Sequence, residues 1–217
     1  MLKWVKNVKL VLNIAKRFKK SCSFVLINLN YIIIKKIVLT AVIAVLGLLN
    51  VNAQKVEFGV KGGLNFSSIR GDNSSDLETV TAFNLGIVSE IPISEKFSFQ
   101  PELMYSGKGF SIDDDVVSLN YLDIPLMGKY YLTKGFSVEA GPQIGFLLSA
   151  KRESLDVKDF YNTVDIGMNL GVGYKLENGI NFGVRYNLGL SDINDRDGYS
   201  DKNKINVVQV SIGYNFF

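Results

Sequence analysis

The sequence predicts an all-β protein: an eight-stranded antiparallel up-and-down transmembrane β-barrel, preceded by a signal peptide. Three observations predict it. Between Val56 and Phe216, eight segments of ten or more residues alternate apolar with small or polar side chains; the gaps between them are short and long in turn; and the chain closes on Ile212-Gly213-Tyr214-Asn215-Phe216-Phe217. Successive strand side chains point to opposite faces, so lipid outside and water inside require one bulky face and one polar face.

The N-terminal part differs in kind from the rest. Residues 1–53 hold 9 of the 24 Lys and Arg and none of the 21 Asp and Glu, which leaves 15 basic against 21 acidic residues, a balance of −6, after Ala53. Lys35-Lys36 precede an apolar run, 37–49, and Val51-Asn52-Ala53 puts small residues before a cleavage point between Ala53 and Gln54. The run is shorter than the ~20 residues of a transmembrane helix, so a cleaved secretory signal is expected rather than a retained anchor. Residues 1–31 mix Lys and Arg with apolar residues ahead of a signal that already has its own basic pair. Translation is therefore expected to begin near Ile34; a basic amphipathic membrane-surface segment is the other reading of this stretch. Its Cys22, the only cysteine, follows Lys19, Lys20 and Ser21, unlike a lipoprotein signal, so the exported domain is expected to have neither disulfide nor lipid anchor.

The exported domain is 54–217, about 20 residues per strand and connection, which suits strands with ~9–11 residues in the bilayer. Strands are predicted at 55–66, 80–91, 97–109, 118–132, 136–149, 162–176, 180–190 and 204–217. The tight connections Pro92–Lys96, Thr133–Gly135 and Glu177–Gly179 are expected on the periplasmic side. Asn178-Gly179 is the dipeptide favoured by two-residue hairpins, where both positions tolerate positive φ. The longer polar connections Ser67–Thr79, Ser111–Val117, Ala150–Tyr161 and Ser191–Asn203 are expected outside the cell.

The faces separate cleanly. Val56, Phe58, Val60, Leu64 and Phe66 oppose Glu57, Gly59, Lys61, Gly63 and Asn65; Val164, Ile166, Met168, Leu170, Val172 and Tyr174 oppose Asp165, Gly167, Asn169, Gly171, Gly173 and Lys175; Ile180, Phe182, Val184, Tyr186, Leu188 and Leu190 oppose Asn181, Gly183, Arg185, Asn187 and Gly189. A narrow barrel has little interior room, which suits glycine, and charges can pair across a wet lumen. A soluble lipocalin-like barrel has the opposite arrangement, bulk inward around a ligand. Aromatic residues fall at strand ends, with Phe97, Phe99, Tyr130, Phe136, Tyr174, Phe182, Tyr214 and Phe216 toward the periplasm and Phe66, Phe83, Tyr105, Phe146 and Tyr186 toward the outside, as two interfacial girdles do.

Four stretches, Gly59-Val60-Lys61-Gly62-Gly63-Leu64-Asn65, Tyr121-Leu122-Asp123-Ile124-Pro125-Leu126, Gly141-Pro142 and Gly213-Tyr214-Asn215-Phe216, resemble the PorT-like small outer-membrane β-barrel proteins of Bacteroidetes. The resemblance runs from Gln54 to the end and implies that the last strand, with Tyr214, Phe216 and Phe217, is the signal read by the barrel-assembly machinery. Phe217 departs from the pattern, one residue out of phase. The family label implies little about activity.

Functional classes narrow further. The chain contains no histidine, which removes Ser-His and His-Asp catalysis. Inward Glu57, Glu90, Glu102, Asp123, Glu139 and Asp165 face inward Lys61, Lys108, Lys129, Lys175 and Arg185, so these carboxylates are expected in an interior salt-bridge network rather than in catalysis. Eight strands leave a lumen filled by side chains, so the network is expected to act as a plug, with a narrow gated pore or a transport- or secretion-associated envelope component as the alternative. Arg70-Gly71-Asp72 is a tripeptide that adhesion receptors can read, and is also ordinary turn chemistry. Asp113, Asp114 and Asp115, with Asp195 and Asp197, are the weak metal candidates; an EF-hand register over the latter puts Ile193 and Lys204 where carboxylates are required. No cofactor fingerprint and no basic nucleic-acid face occur. The expectation is a non-enzymatic outer-membrane barrel without cofactor, in contact with lipid, with the assembly machinery during insertion, and with a possible surface or envelope partner through acidic loops.

Overall fold

The computed structural model describes residues 56–71, 78–112, 115–193 and 203–216. The extension and signal over 1–53, the junction Ala53–Gln54, Asp72, Asp113, Asp114, Asp195, Asp197 and Phe217 lie outside the described residues. Among the described residues there are nine strands: β1 (Glu57–Gly71), β2 (Glu78–Pro92), β3 (Phe97–Ile112), β4 (Asp115–Tyr131), β5 (Phe136–Arg152), the two-residue β6 (Leu155–Asp156), β7 (Val164–Lys175), β8 (Ile180–Gly189) and β9 (Asn203–Phe216). All pairings are antiparallel, and each long strand pairs with its neighbours in sequence; β4 joins β5, β5 joins β7, and β9 returns to β1. The β1–β9 ladder runs from Phe58↔Phe216 to Gly71↔Asn203 and closes the ring of eight. Closure removes every free edge, which lipid could not hydrogen-bond.

The bulky face is the outer one. Phe58, Val60, Leu64, Leu85, Ile87, Leu170, Val184 and Ile212 are exposed, whereas Lys61, Asn65, Glu102, Lys108, Asp165 and Arg185 are buried. A lipocalin-like barrel has the reverse arrangement, so that reading is overturned. Aromatic residues of neighbouring strands stand opposite one another in register at the short-turn end, Phe97 with Tyr130, Phe136 with Tyr174, Tyr174 with Phe182, and Phe58 with Phe216. Nearer the other end Phe83 stacks on Tyr105 at 5.3 Å.

The hairpin at Glu177–Gly179 has the expected bounds but differs from expectation at Asn178. Leu176 N–H donates to Ile180 O and Gly179 N–H to Leu176 O, so Glu177, Asn178 and Gly179 form the loop. Gly179 has φ 90° but Asn178 does not have positive φ; its Oδ1 instead accepts Ile180 N–H at 3.2 Å. The turn is thus closed by a glycine in the left-handed region, and Gly135 (φ 88°) takes the same region in the preceding short hairpin.

A second difference lies at the long-loop end, where the strands outrun their predicted limits. Ser67–Gly71 continues β1, Ser111–Ile112 continues β3, and Asp115–Val117 begins β4. Arg70 and Gly71 are thus strand residues rather than a loop tripeptide. The same stretch shows an inversion of polarity: in β4, Val117, Leu119 and Tyr121 point inward and are buried, while Ser118 and Asn120 point outward. Beyond the bilayer the outer wall meets water, so the sheet continues with the ordinary soluble pattern.

Candidate functional site: the lumen and its outer mouth

The interior is built in layers from the short-turn end upward. In the lowest, Lys175 Nζ sits against Glu57 and lies 3.3 Å from Glu90 Oε2; Tyr131 hydroxyl donates to Glu90, and Asn215 Nδ2 donates to Glu57 and Glu90 at 3.1 and 3.3 Å. Above it Arg185 places two nitrogens on the Glu102 carboxylate at 2.9 Å each and a further bond of 2.8 Å on Glu139. Lys61 lies 3.5 Å from Glu102, and Lys129 bridges the layers at 3.6 Å from both Glu90 and Glu139. Planar guanidinium forked onto a carboxylate is the strongest of these geometries. Four carboxylates meet four cations in these two layers.

A neutral layer follows. Asn84 Nδ2 donates to Asn65 Oδ1 at 2.8 Å, Asn65 Nδ2 to Ser106 Oγ at 2.9 Å, Asn187 Nδ2 to Asn169 Oδ1 at 3.1 Å and Asn169 Nδ2 to Gln143 Oε1 at 3.0 Å. Above the amides Lys108 Nζ stands 3.1 Å from Asp123 and 3.3 Å from Asp165, 4.5 Å over the Tyr121 ring. Ser191 Oγ donates to Asp165 Oδ1 at 2.7 Å and ties the connection after β8 to this layer.

The top layer is apolar. Ile69, Phe110, Val117, Leu119, Tyr121, Leu147, Ala150, Ile193, Ile205 and Val207 form one buried cluster, against which Val157 and Tyr161 pack. A bulge in β5 makes this possible: Asn120 pairs with Ser149 but Tyr121 with Leu147, and the skipped residue brings Ala150 inward. The Leu190–Ile193 segment supplies the stopper. Asn162 N–H donates to Ile193 O at 2.9 Å and Ile193 N–H to Asn203 O at 2.9 Å, holding a side chain that is only 2% exposed.

The lumen therefore has little free space. The gap among Lys61, Gln100, Lys129, Glu139 and Lys175 measures about 10 Å³, room for about one water molecule. Gly173 shows how close the fit is, since a Cβ there would fall 2.6 Å from Glu139 Oε1. A larger hollow, about 620 Å³, lies on the outer wall between Phe97, Tyr130, Val138 and Leu170 over Gly128 and Ala140.

All eleven predicted interior charges fall within these layers, and Tyr214 and Phe216 sit outward at the end of β9, their rings 5.4 Å apart. Asp115, one of the metal candidates, belongs to β4 and accepts Arg152 Nε at 3.2 Å. The apolar mouth and the amide layer are the parts that sequence reasoning missed. Their signal was present, since Val117, Leu119 and Tyr121 share the phase of Asp123 and Lys129.

Comparison with known proteins agrees with this geometry. Residues 52–195 match the family model described as outer membrane protein beta-barrel domain. The crystal structure of Neisserial surface protein A superposes with a TM-score of 0.53 at 12% identity, covering 75% of this chain and 100% of that one. The attachment invasion locus protein Ail of Yersinia pestis, crystallised with the heparin analogue sucrose octasulfate, gives 0.48 at 12% identity over 75% and 99% of the two chains. OprG from Pseudomonas aeruginosa gives 0.41 at 16% identity over 75% and 97%. The likeness to Neisserial surface protein A concerns the fold alone. A search of curated proteins found no match. With the family match and its apolar outer wall, the barrel resides in the outer membrane and contacts its lipid.

Proposed function

We propose that this chain, which belongs to the outer membrane protein beta-barrel domain family, is a non-enzymatic, non-conducting barrel whose role is structural or recognitional, exercised at its extracellular end. One observation carries the reading: the lumen is blocked twice, by an ion ladder across its lower half and by an apolar seal at its outer mouth. Either block alone opposes ion passage; together they leave the extracellular surface as the part free to meet a partner. Absence of histidine supports the non-catalytic part, and carboxylates engaged with Arg185, Lys61, Lys108, Lys129 and Lys175 have no spare proton chemistry to offer.

The strand-one and strand-four stretches support a narrower place among PorT-like barrels, and the terminal Tyr214 and Phe216 support recognition by the barrel-assembly machinery. Export would follow signal cleavage between Ala53 and Gln54. Planar-bilayer recording tests the central claim. The refolded protein is expected to stay silent at ±100 mV, and discrete conductance steps that vanish on Glu102→Gln would establish a pore instead.

A further inference from the structure

The outward face of the β1–β9 ladder changes character in three steps. Phe66 stands opposite Val208, then Ser68 opposite Asn206, then Arg70 opposite Lys204. The neighbours Ile69 and Ile205 are buried inside, so Arg70 and Lys204 lie on the outward phase; Arg70 is exposed and Lys204 half-buried. Two cations directly opposite in an antiparallel pair have Cβ atoms ~5 Å apart and repel. The rim's other strand guanidinium, Arg152, has its own acid in Asp115. Among the described residues no carboxylate pairs with Arg70 or Lys204. Glu78, where β2 begins, lies two residues before Val80, the partner of Ser67, which sets it level with Ile69 on the opposite phase from this pair, and it makes no ion pair with it. Among the described residues the outward patch therefore carries two cations and no acid.

Height identifies what such a patch meets. Four residues separate Phe66 from Arg70, about 14 Å along the strand at ~3.4 Å each, or about 10 Å along the membrane normal at a tilt of ~40°. A headgroup layer of ~5–8 Å lies there, and long basic side chains bend back toward it. The pair faces away from the lumen, on the side that lipid surrounds. We propose that Arg70 and Lys204 form an outward clamp for a phosphate group on an outer-leaflet lipid headgroup, the anion taking the place between them that no acid of the described chain fills. The proposal rests on the membrane location alone and stands whether or not the extracellular end recognises a protein.

The test uses a reversal of sign. In neutral detergent micelles Arg70→Gln or Lys204→Gln removes a repulsion, so each variant should unfold at a higher temperature than the wild type, read from heat-dependent gel migration. Addition of lipid A bearing its phosphates should invert that order, while enzymatically dephosphorylated lipid A and inorganic phosphate at equal phosphorus concentration should not. Affinity for the phosphorylated lipid should fall about fivefold for each cation removed, and about thirtyfold for both. The exchange Arg70→Lys with Lys204→Arg should retain binding. An order of stability that is the same in all four conditions would overturn the clamp; inversion by inorganic phosphate alone would overturn its assignment to lipid.

Discussion

Val184→Arg places a charge on one face of β8 while its neighbour Arg185 already carries one on the other. Val184 is 49% exposed and Arg185 4%. The bulky outward series in this strand runs from Ile180 to Leu190, ten steps of ~2.6 Å along the membrane normal after tilt, or about 26 Å, close to the ~25 Å apolar band of such barrels. Val184 lies four steps up, about 10 Å from the lower edge and within ~3 Å of the midplane. An arginine there should cost ~2–4 kcal/mol, a ~30- to ~900-fold fall in the folding equilibrium constant. The same substitution at Leu190, at the upper edge, should cost only ~0–1 kcal/mol. Both are read from guanidinium titration of the protein refolded into bilayers of matched thickness. Equal costs at the two positions, or a cost at Val184 that persists unchanged in detergent micelles, would refute the claim that lipid solvates this face.

Further expectations concern the interior. Arg185→Leu leaves Glu102 and Glu139 buried with only Lys61 and Lys129 nearby, at 3.5 and 3.6 Å; a loss of ~3–5 kcal/mol in the same titration is expected, whereas replacing Arg185, Glu102 and Glu139 together by apolar residues of similar volume should cost far less. Ile193→Asn should unseat the stopper, so that a cysteine introduced at Asn65 reacts faster with a charged thiol reagent; unchanged labelling would show that the apolar mouth is not the seal. Gly173→Val should lower stability by ~1–3 kcal/mol because the added carbons meet the Glu139 carboxylate; thermal melting in micelles measures it, and a neutral outcome would mean the lumen has room that the packing denies.

The membrane-embedded part was the legible part. Strict alternation in 164–175 and 180–189 told inside from outside without ambiguity, because lipid demands bulk on every outward residue and a narrow lumen demands glycine or charge on every inward one. The extracellular end was read less well. There the outward residues Ser68, Ser118 and Asn120 resemble loop composition, so the pattern predicts loops over Ser67–Gly71 and Asp115–Val117 where the strands continue. A lipid-facing pattern is not required beyond the lipid. Partners within the lumen were not legible either: alternation says that Lys108 points inward, but only closure of the ring brings it against Asp165, 57 residues away. Asn178 departs for a different reason: Asn-Gly tolerates positive φ at both positions, yet in this three-residue connection only Gly179 adopts it, and the Asn178 side chain accepts a hydrogen bond instead.

The polarity inversion explains why one barrel can be both filled with ions and sealed by hydrocarbon. Within the bilayer the apolar driving force is spent on the outside, where lipid replaces water, so the inside is stabilised by hydrogen bonds and by pairing of buried charge. Above the bilayer water bathes the outside again, and burial of Leu119, Tyr121, Ile205 and Ile193 inside becomes favourable in the way it is for any soluble domain. The crossing point lies between Asp123 and Tyr121 in β4 and between Ser67 and Ile69 in β1. Lys108 sits at that boundary, its ammonium bound to Asp123 and Asp165 below and laid over the Tyr121 ring above. A cation there can satisfy both media at once, through carboxylates on one side and an aromatic face on the other. It follows that Lys108→Met should disturb more than one layer: it leaves Asp123 and Asp165 facing each other without a counter-charge and removes the ring contact beneath the seal. Hydrogen exchange should then rise both at Tyr121 and at Ile193. A rise confined to the Asp123–Asp165 level would mean that the seal stands independently of the ion it covers.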